Sequence, residues 1–555
     1  MFLNKFSKVI TQDKSQGASQ AMLYALKLSK KDMNKAQIGI GSNWFESNPC
    51  NSHLNEISKR VKNSLTEKEI IGFQFNTIGV SDGITMGTKG MLYSLPSREL
   101  IADSYEMINL AHSYDGNIAI PGCDKNLPGC IMAMLRINRP SFMIYGGTIR
   151  PGRCNNKDIN IVDAFQSYGM YINNEINDNE RENIIQNACP GPGSCGGMYT
   201  ANTMAAAIEA MGMMLPNGSS NPAKSSEKYQ ECELSGDIIK NLLLNNIKPK
   251  DIITKQSIEN AITMGISLGG STNLVLHILA IAKTAKIDID IDIFNNLGKN
   301  IPVIGNFKPH GKYLMNDLHN LGGTSLVTKL LYEMGLLHGE CLTITGKTLK
   351  ENLDNIDLNK VDFKDIIVKN NPIKKDSHIR ILYGNLAPNS AVAKITGKEQ
   401  KVFIGKAKVF ESEDGFLKSL KNGDIKKGSV IIIRNQGPIG GPGMPEMLKP
   451  TSAIVGYGLD NDIAFITDGR FSGGSHGFII GHVTPEAALG GPIGYVQDGD
   501  TIVIDTINNR IDWEISSKNI YKYRNYDNNK NLENNEYLQK YKKLVFPANL
   551  GCTTL

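Results

Sequence analysis

The character of the sequence changes at about residue 376, and this change limits the possible folds more than any other feature. Before it, short apolar runs at residues 38–40 and 142–144 resemble buried strands, and residues 20–28 and 203–214 have helical patterns. Strands, loops and helices that alternate in this way form a mostly parallel sheet covered by helices. The first part of the chain is therefore predicted to be an α/β domain.

After residue 376, β-branched runs follow one another at residues 402–404, 430–433, 463–466 and 501–504. Few helical patterns separate them, and residues 507–510 lie between two alternating runs, as a hairpin turn does. This pattern is typical of a β-rich barrel or sandwich.

A chain of 555 residues is too long for one ordinary domain. The best linker candidate is residues 368–378, which contain Asn370-Asn371-Pro372 and several lysines. We therefore predict two domains: an α/β domain over residues 1–375 and a barrel-like β domain over residues 376–555.

The composition excludes several classes of protein. The net charge is only +5 and the lysines are scattered, which argues against a nucleic-acid partner. Hydrophobic residues make up 41% and charged residues 21%, as in soluble globular chains. The longest uncharged apolar stretch, residues 261–282, is interrupted by glycine and polar residues at 269–273 and is a poor membrane span. The first residues lack the apolar core of a signal peptide, so a cytoplasmic location is expected.

Nine cysteines without any CxxC pair argue against a disulfide framework, a zinc ribbon or a thioredoxin-type motif. Cys50, Cys123 and Cys195 lie in loops rich in glycine and proline, beside polar residues. Thiolates that converge from distant loops suit an iron–sulfur cluster, and three ligands would leave one iron position open to a substrate oxygen. On spacing alone Cys130 and Cys189 remain candidate ligands, and buried thiols in tight loops are the alternative interpretation. The other four are predicted to be packing residues: Cys154, Cys232, Cys341 and Cys552.

Three carboxylates also lie in or beside glycine-rich loops: Asp82, Asp124 and Glu446. Carboxylates with few protein partners suit Mg²⁺, which keeps part of its shell for water and substrate oxygens. Taken singly, Asp82 can be a turn residue and Glu446 a helix N-terminal acid. Because Asp124 directly follows Cys123, a cluster ligand and a Mg²⁺ ligand would be neighbours, and both metals would reach one small substrate.

A glycine-rich segment, TDGRFSGGSHG, carries Ser472 two residues after Arg470. A serine near a cationic arginine can act as a base if its alkoxide is stabilised electrostatically, although a structural or phosphate-binding loop is the alternative. The GxSxG pattern around Ser475 is not a hydrolase elbow, because no acidic residue lies between Ser475 and the last histidine, His482.

Five longer segments carry a family resemblance: PGCDKNLPGC, CPGPGSCGGMYTANTM, GGSTNLVLHILAIA, GPIGGPGMPEM and TDGRFSGGSHGF. Together they resemble the dihydroxy-acid dehydratase family, within the group that also holds sugar-acid dehydratases. The similarity runs from about Asp13 to Leu555 in the family's motif order. It implies an α/β N-terminal domain, a C-terminal β-barrel, a homodimer, and an active site between the two domains.

The resemblance also assigns roles to individual residues. It places the cluster ligands on Cys50, Cys123 and Cys195, and the proton acceptor on Ser472. Cys130 and Cys189 are not ligands in the family pattern. A [2Fe–2S] cluster is favoured on resemblance, although three cysteines serve a [4Fe–4S] cluster equally. The Mg²⁺ ligands include a lysine that family members carbamylate, and they fall on Asp82, Asp124, Lys125 and Glu446.

The reaction implied by the resemblance is the dehydration of 2,3-dihydroxy-3-methylbutanoate, and of 2,3-dihydroxy-3-methylpentanoate, to the 2-oxo acid in valine and isoleucine biosynthesis. A dehydratase acting on an aldonate or phosphogluconate with the same metals is the alternative enzyme. An electron-transfer or sensing iron–sulfur protein is the alternative from another class. That last class needs four cysteine ligands and has no use for the three carboxylates.

Overall fold

The structure is a computed structural model that describes residues 3–395, 401–475, 477–514 and 535–555. His476 of the glycine-rich segment lies outside the described residues. Strands within the described ranges are β1 Gln37–Ser42, β2 Ile71–Asn76, β3 Gly116–Ile120, β4 Ser141–Met143, β5 Gly152–Cys154, β6 Lys157–Ile159, β7 Ile379–Leu382, β8 Ser390–Lys394, β9 Val402–Phe410, β10 Ser429–Ile433, β11 Glu446–Met447, β12 Ala464–Thr467, β13 Arg470–Phe471, β14 Phe478–Thr484, β15 Thr501–Asp505 and β16 Arg510–Trp513.

The α-helices in the same ranges are α1 Lys8–Thr11, α2 Gly17–Ala25, α3 Leu54–Glu67, α4 Asp82–Thr85, α5 Ser94–Ala111, α6 Asn126–Ile137, α7 Ile161–Ile172, α8 Asp178–Asn187, α9 Thr200–Ala210, α10 Ser226–Glu233, α11 Ser235–Asn245, α12 Pro249–Ile252, α13 Lys255–Ser267, α14 Asn273–Ala285, α15 Ile293–Gly298, α16 Met315–Leu321, α17 Thr324–Glu333, α18 Leu349–Asn352, α19 Glu413–Lys421, α20 Lys449–Gly456 and α21 Glu536–Leu544. None of these helices is long and apolar enough to cross a membrane.

The N-terminal half contains the predicted parallel sheet, with strand order β2-β1-β3-β4. Helices α3, α5 and α6 lie between successive strands along the chain, as parallel pairing requires. Ile38 and Ile40 lie on one face of β1 and are fully buried, and the residues between and beside them, which lie on the other face, are buried as well. A sheet covered on both faces explains why these strands are continuous apolar runs rather than alternating ones.

The predicted helices exist, but their limits are shifted by a few residues. Helix α9 is buried along its whole length, which fits its alanine- and methionine-rich sequence. Helix α2 ends at Ala25, before the end of the predicted range, because Lys27 adopts a left-handed φ of 65°. Capping and backbone conformation, rather than apolar periodicity, decide these limits.

The C-terminal half forms an eight-stranded sheet in the order β16-β15-β9-β10-β12-β14-β8-β7. The two edges approach each other at Tyr383, which bridges Arg510 at the start of β16. The Tyr383 N–H donates to the Asn509 carbonyl at 2.9 Å, and the Ile511 N–H donates to the Tyr383 carbonyl at 2.9 Å. The sheet is therefore nearly closed, and the prediction of a barrel-like fold is confirmed.

The central strands of this sheet are connected by helices, although few helices were expected in this half of the chain. Strands β9, β10, β12 and β14 are parallel, and parallel neighbours need a crossover connection. Helix α19 connects β9 to β10, begins at the side-chain cap of Ser412, and buries Phe416 and Leu420. Helix α20 lies between β10 and β12. Both helices are short, so their amphipathic patterns are weak beside the β-branched runs around them.

The predicted boundary near residue 376 lies in a well-packed region. Ile379, Ile381 and Val392 of the C-terminal sheet belong to the same hydrophobic core as the N-terminal sheet. His378 is buried, and its Nε2 lies 2.7 Å from the Gly270 carbonyl oxygen. The two halves therefore share a core, and the domain boundary stays a prediction.

Candidate active site

The loops at the carboxyl ends of the parallel strands carry most of the predicted site residues. The loop after β1 carries Cys50, the loop after β2 leads to Asp82 at the start of α4, and the loop after β3 carries Cys123, Asp124 and Lys125. In open parallel sheets, ligands bind outside this edge of the sheet. The topology alone therefore brings three separate sequence motifs to one place.

The third thiol reaches this edge through hydrogen bonds from a distant loop. The Ile149 N–H, in the segment after β4, donates to the Ser194 carbonyl at 2.7 Å, and the Gly193 N–H donates to the Pro49 carbonyl at 3.1 Å. These bonds place Cys195 beside Cys50, whose thiol contacts both Cys123 and Cys195. The two neighbouring thiols, and then burial, raise the pKa of Cys50 well above its usual value. A metal centre bound by this set of three thiols would stabilise Cys50 as a thiolate against the effect of its two neighbours.

Gly122 allows the Cys50 and Cys123 loops to approach closely. A Cβ at Gly122 would lie 2.3 Å from the Asn51 Oδ1 and 2.4 Å from the Cys50 carbonyl oxygen, so a side chain there would force the loops apart. Asn126 then locks the arrangement, because its Oδ1 accepts the Cys123 N–H at 2.8 Å and the Asn51 Nδ2 at 3.0 Å. The glycine and asparagine residues of these motifs therefore position the sulfur atoms.

Two other cysteines were candidates on spacing, and the structure separates their roles. Cys130 is buried in α6, where burial raises its pKa to about 12 and its Sγ lies 3.5 Å from the Asn43 Oδ1. Cys189 is exposed and lines the cavity described below; partial burial, and then Cys195, raise its pKa to about 11. The thiol contacts of Cys50 are with neither of them but with Cys123 and Cys195.

The three predicted carboxylates meet around Lys125. Asp82, Asp124 and Glu446 each offer one oxygen, and these oxygens lie within 4.8 Å of one another. The Lys125 Nζ contacts Asp82, lies 3.0 Å from the Glu446 Oε2, and lies 3.7 Å from the Asp124 Oδ2. Burial lowers the pKa of Lys125, but the Asp82 and Glu446 carboxylates more than reverse this effect and raise it overall. Burial raises the pKa of Asp124 to about 8.

Glu446 comes from the C-terminal half, where β11 pairs with β13 and sets Glu446 beside Arg470. The Glu446 Oε2 accepts from the Arg470 Nη1 at 2.7 Å and from the Asn273 Nδ2 at 3.1 Å. Burial raises the pKa of Glu446, but Lys125 and Arg470 outweigh burial and lower it overall. Its Oε1 is buried and has no hydrogen-bond partner among the described residues. An orphaned buried carboxylate oxygen beside two further carboxylates fits a divalent cation.

Ser472 lies at the end of the same short strand pair. Its N–H donates to the Met447 carbonyl at 2.9 Å, and its Oγ accepts the Gly474 N–H at 3.3 Å. The Ser472 side chain also faces Glu446 and helps to lower the pKa of that carboxyl. The β11–β13 pairing thus places Ser472 next to the carboxylate group.

One cavity of about 150 Å³ joins the two groups. Its remaining walls are largely apolar and include Ile149, Ile161, Val162 and Leu448. Two predicted residues do not line the cavity but contact residues that do. Lys125 contacts Asp82, and Glu446 interacts with Ser472. The predicted residues that line it directly are Cys50, Asp82, Cys123, Asp124, Cys195 and Ser472. The structure therefore brings all eight predicted site residues together.

Sequence reasoning missed two partners of this site. Asn273, the first residue of α14, donates to Glu446 and accepts from the Arg470 Nη1 at 3.2 Å. The Ser94 Oγ donates to the Asp82 Oδ1 at 2.7 Å. Asn273 stands in the GGSTN motif that carried the family resemblance, and a polar amide directly before a long apolar run was the available clue.

A buried acid, Glu486, anchors the loop that leads to Glu446. Its carboxylate accepts the Ile439 N–H at 3.1 Å and the Gly440 N–H at 2.9 Å. Burial, and then the neighbouring Asp468, raise the pKa of Glu486 to about 8 from 4.5. Between these two values the folded chain holds a proton that the unfolded chain releases. The free energy of unfolding therefore falls as the pH rises through this range.

Glu486→Gln, which cannot ionise, is expected to flatten this pH dependence. Between about pH 5 and about pH 9 the variant should lose less stability than the wild type by on the order of 3–5 kcal/mol, because Asp124 and the other buried acids still titrate in both proteins. Urea-unfolding midpoints at both pH values measure the difference, and Glu67→Gln on the exposed side of α3 is the control. Equal slopes for the wild type and Glu486→Gln would contradict the prediction.

Comparison with known proteins identifies the family. Residues 35–352 match the dihydroxy-acid/6-phosphogluconate dehydratase N-terminal family, and residues 365–552 match the corresponding C-terminal family. The chain belongs to the dihydroxy-acid/6-phosphogluconate dehydratase family. It is therefore an enzyme of the hydro-lyase class, and its family uses metal cofactors.

Relatives in this dehydratase family resemble the chain along its whole length. The dihydroxy-acid dehydratase of Francisella tularensis subsp. novicida (strain U112) is 56% identical over 553 residues, which cover 100% of this chain and 99% of the relative. The mitochondrial dihydroxy-acid dehydratase of Saccharomyces cerevisiae is 54% identical over 559 residues, which cover 99% of this chain and 96% of the relative. The dihydroxy-acid dehydratase of Flavobacterium psychrophilum is 52% identical over 553 residues, which cover 100% of this chain and 99% of the relative.

Proposed function

We propose that this enzyme is a dihydroxy-acid dehydratase that converts 2,3-dihydroxy-3-methylbutanoate, and its methylpentanoate homologue, to the 2-oxo acids of valine and isoleucine biosynthesis. The observation that carries the proposal is the small cavity with apolar walls beside the thiols and carboxylates. A branched aliphatic substituent matches those walls. The extra hydroxyls of a sugar acid would lose their water there without gaining hydrogen bonds. The full-length similarity to enzymes named dihydroxy-acid dehydratase supports the same substrate.

The metal ligands are proposed from the contacts at the two ends of the cavity. Cys50, Cys123 and Cys195 would hold an iron–sulfur cluster, taken as [2Fe–2S], and the mutual contact of their thiols supports this. The orphaned Glu446 Oε1 and the close carboxylate oxygens support a Mg²⁺ site on Asp82, Asp124, Lys125 and Glu446. When bound, the two metals supply Lewis acidity to the carboxylate and hydroxyl oxygens of the substrate.

Carbamylation of Lys125 would remove a conflict at the Mg²⁺ site. As an ammonium, Lys125 already pairs with Asp82 and Glu446, and its charge opposes that of a divalent cation. Addition of CO₂ to the neutral amine, with loss of a proton, replaces this positive charge by a carboxylate-like group. Labelled bicarbonate followed by NMR of the intact enzyme detects the carbamate. An unmodified lysine in Mg²⁺-loaded, active enzyme would contradict this assignment.

Ser472 is the proposed proton acceptor. Its Oγ accepts one backbone N–H, and the Glu446 carboxylate beside it is paired with the cationic Arg470 and Lys125. These two positive charges would lower the cost of forming an alkoxide. Ser472 would take the C2 proton, the C3–O bond would break, and this proton and the hydroxyl would leave together as water. The enol that remains then moves its hydroxyl proton to C3, which yields the 2-oxo acid without any net oxidation.

Substrate comparison tests the proposed function. Anaerobically purified enzyme with Mg²⁺ should form 2-oxo acid from 2,3-dihydroxy-3-methylbutanoate much faster than from pentonates or phosphogluconate. Preference for a sugar acid would overturn the substrate assignment within the same family. A reversible one-electron couple without any dehydratase activity would instead favour an electron-transfer protein.

A homodimer is proposed as the working assembly. Exposed apolar side chains surround a groove of about 340 Å³ at one end of the parallel sheet: Phe45, Ile78 and Leu100. Sedimentation should give the mass of two chains, and Leu100→Glu is expected to increase the monomer fraction because a charge would be buried. Met22→Glu on the exposed side of α2 is the matched control. A monomeric wild-type protein would exclude this assembly.

A cytoplasmic location is also proposed. The similarity to bacterial relatives supports this location, whereas the similar fungal relatives are named as mitochondrial. Fractionation of the host cells, followed by detection of the protein, distinguishes the two locations.

A further inference from the structure

A second and larger cavity adjoins the reaction cavity. It has a volume of about 580 Å³ and lies among α7, α8, α19 and α20. We call it the basic groove, because among the described residues four cationic side chains line it against one carboxylate, that of Asp414. The four are Arg181, Lys418, Lys421 and Lys449.

Three contacts join the basic groove to the reaction cavity. Ile161 and Phe165 of α7 line both cavities, so the two share a wall. The Lys449 Nζ donates to the Gly87 carbonyl at 3.1 Å, just beyond the helix that begins with Asp82. The groove therefore leads towards the carboxylate end of the reaction cavity.

The cations of the groove are available to a ligand. Within the described residues, Arg181, Lys418 and Lys421 have no carboxylate within salt-bridge distance. Lys418 and Lys421 are exposed and lie three residues apart on α19, which places them on one side of that helix. The Arg181 Nε is buried and has no hydrogen-bond partner among the described residues. A concave surface lined by one sign of charge concentrates oppositely charged small molecules.

We propose that the basic groove is a collecting site for carboxylate anions, which draws the substrate to the mouth of the reaction cavity. This inference rests on the proposed function insofar as the substrate is a small carboxylate. The groove makes no contact with the reacting atoms, so its residues act on capture and not on the chemical step.

The kinetic test compares two lysine pairs with the same helical spacing. Lys418→Gln/Lys421→Gln removes two charges from the groove, whereas Lys59→Gln/Lys62→Gln removes two exposed charges from α3, which lines neither cavity. At low ionic strength the groove variant is expected to raise KM about fivefold while kcat stays within about twofold. The difference should vanish at about 1 M salt, where charges are screened within about 3 Å. Equal KM values for the two variants would overturn the proposal.

A second measurement needs no turnover. Cys189 is exposed and lines the reaction cavity, so its alkylation in the holoenzyme reports the local potential. The ratio of its reaction rates with anionic iodoacetate and neutral iodoacetamide is expected to fall severalfold in the groove variant and to stay unchanged in the α3 variant. A ratio unaffected by the groove variant would overturn the proposal. A falling ratio in an enzyme that fails to dehydrate 2,3-dihydroxy acids would support the groove and reject the proposed substrate.

Discussion

Replacing Ser472 with alanine is expected to lower kcat by about 10²–10⁴-fold, which is the usual contribution of a positioned general base. With Mg²⁺ in excess, the iron content and the visible spectrum should stay the same, because Ser472 is not a proposed cluster ligand and its hydroxyl interacts with Glu446 at the proposed Mg²⁺ site. The backbone bond from the Ser472 N–H to Met447 is kept in the variant, so the local structure should survive. Steady-state turnover and iron analysis of the same preparation measure both quantities.

Ser475→Ala is the matched control for this experiment. Ser475 lies three residues further along the same segment, is buried, and bonds the Thr451 Oγ at 2.9 Å rather than a cavity group. It should cost some stability but little turnover. If Ser472→Ala retains turnover, Ser472 is excluded as the base, and if both variants lose it equally, the loss reflects the segment and not the hydroxyl.

Replacing Cys123 with serine is expected to remove the cluster and with it all measurable turnover. Outer partners of metal ligands alone change metal affinity by about 10–100-fold, so loss of a ligand should weaken binding by more than about 100-fold. Cys123 also contacts Cys50, and a serine there cannot supply the soft thiolate that iron–sulfur clusters prefer. Iron and sulfide analysis after anaerobic reconstitution measures the effect.

Cys130→Ser provides the comparison. Cys130 lies seven residues after Cys123 and is fully buried in α6, away from the thiol group. This variant should keep its iron, although burying a hydroxyl in place of a thiol costs stability. Iron loss in Cys130→Ser but not in Cys123→Ser would reverse the ligand assignment.

Much of the fold was predictable because its signals are local. The apolar runs of the parallel strands, and the β-branched runs of the C-terminal sheet, are continuous in the sequence. The crossover helices α19 and α20 were not anticipated, because a helix of eight or nine residues carries little periodicity. Helix limits also shifted, since a single left-handed residue such as Lys27 ends a helix regardless of the pattern around it.

The sequence by itself determined which side chains are available for chemistry. Cysteines and carboxylates in glycine-rich loops indicated the site residues, because tight turns and metal ligands need particular residue types at short spacing. The motifs and their order also indicated the family, which the full-length similarities support.

Only the tertiary structure decided how these groups meet. Lys125 and Glu446 are 321 residues apart yet lie 3.0 Å from each other, and Asn273 completes the contact from a third region. The basic groove likewise combines Arg181 with lysines of α19. Such contacts depend on strand order and helix packing, which sum many weak interactions along the whole chain, and no short sequence pattern records that sum.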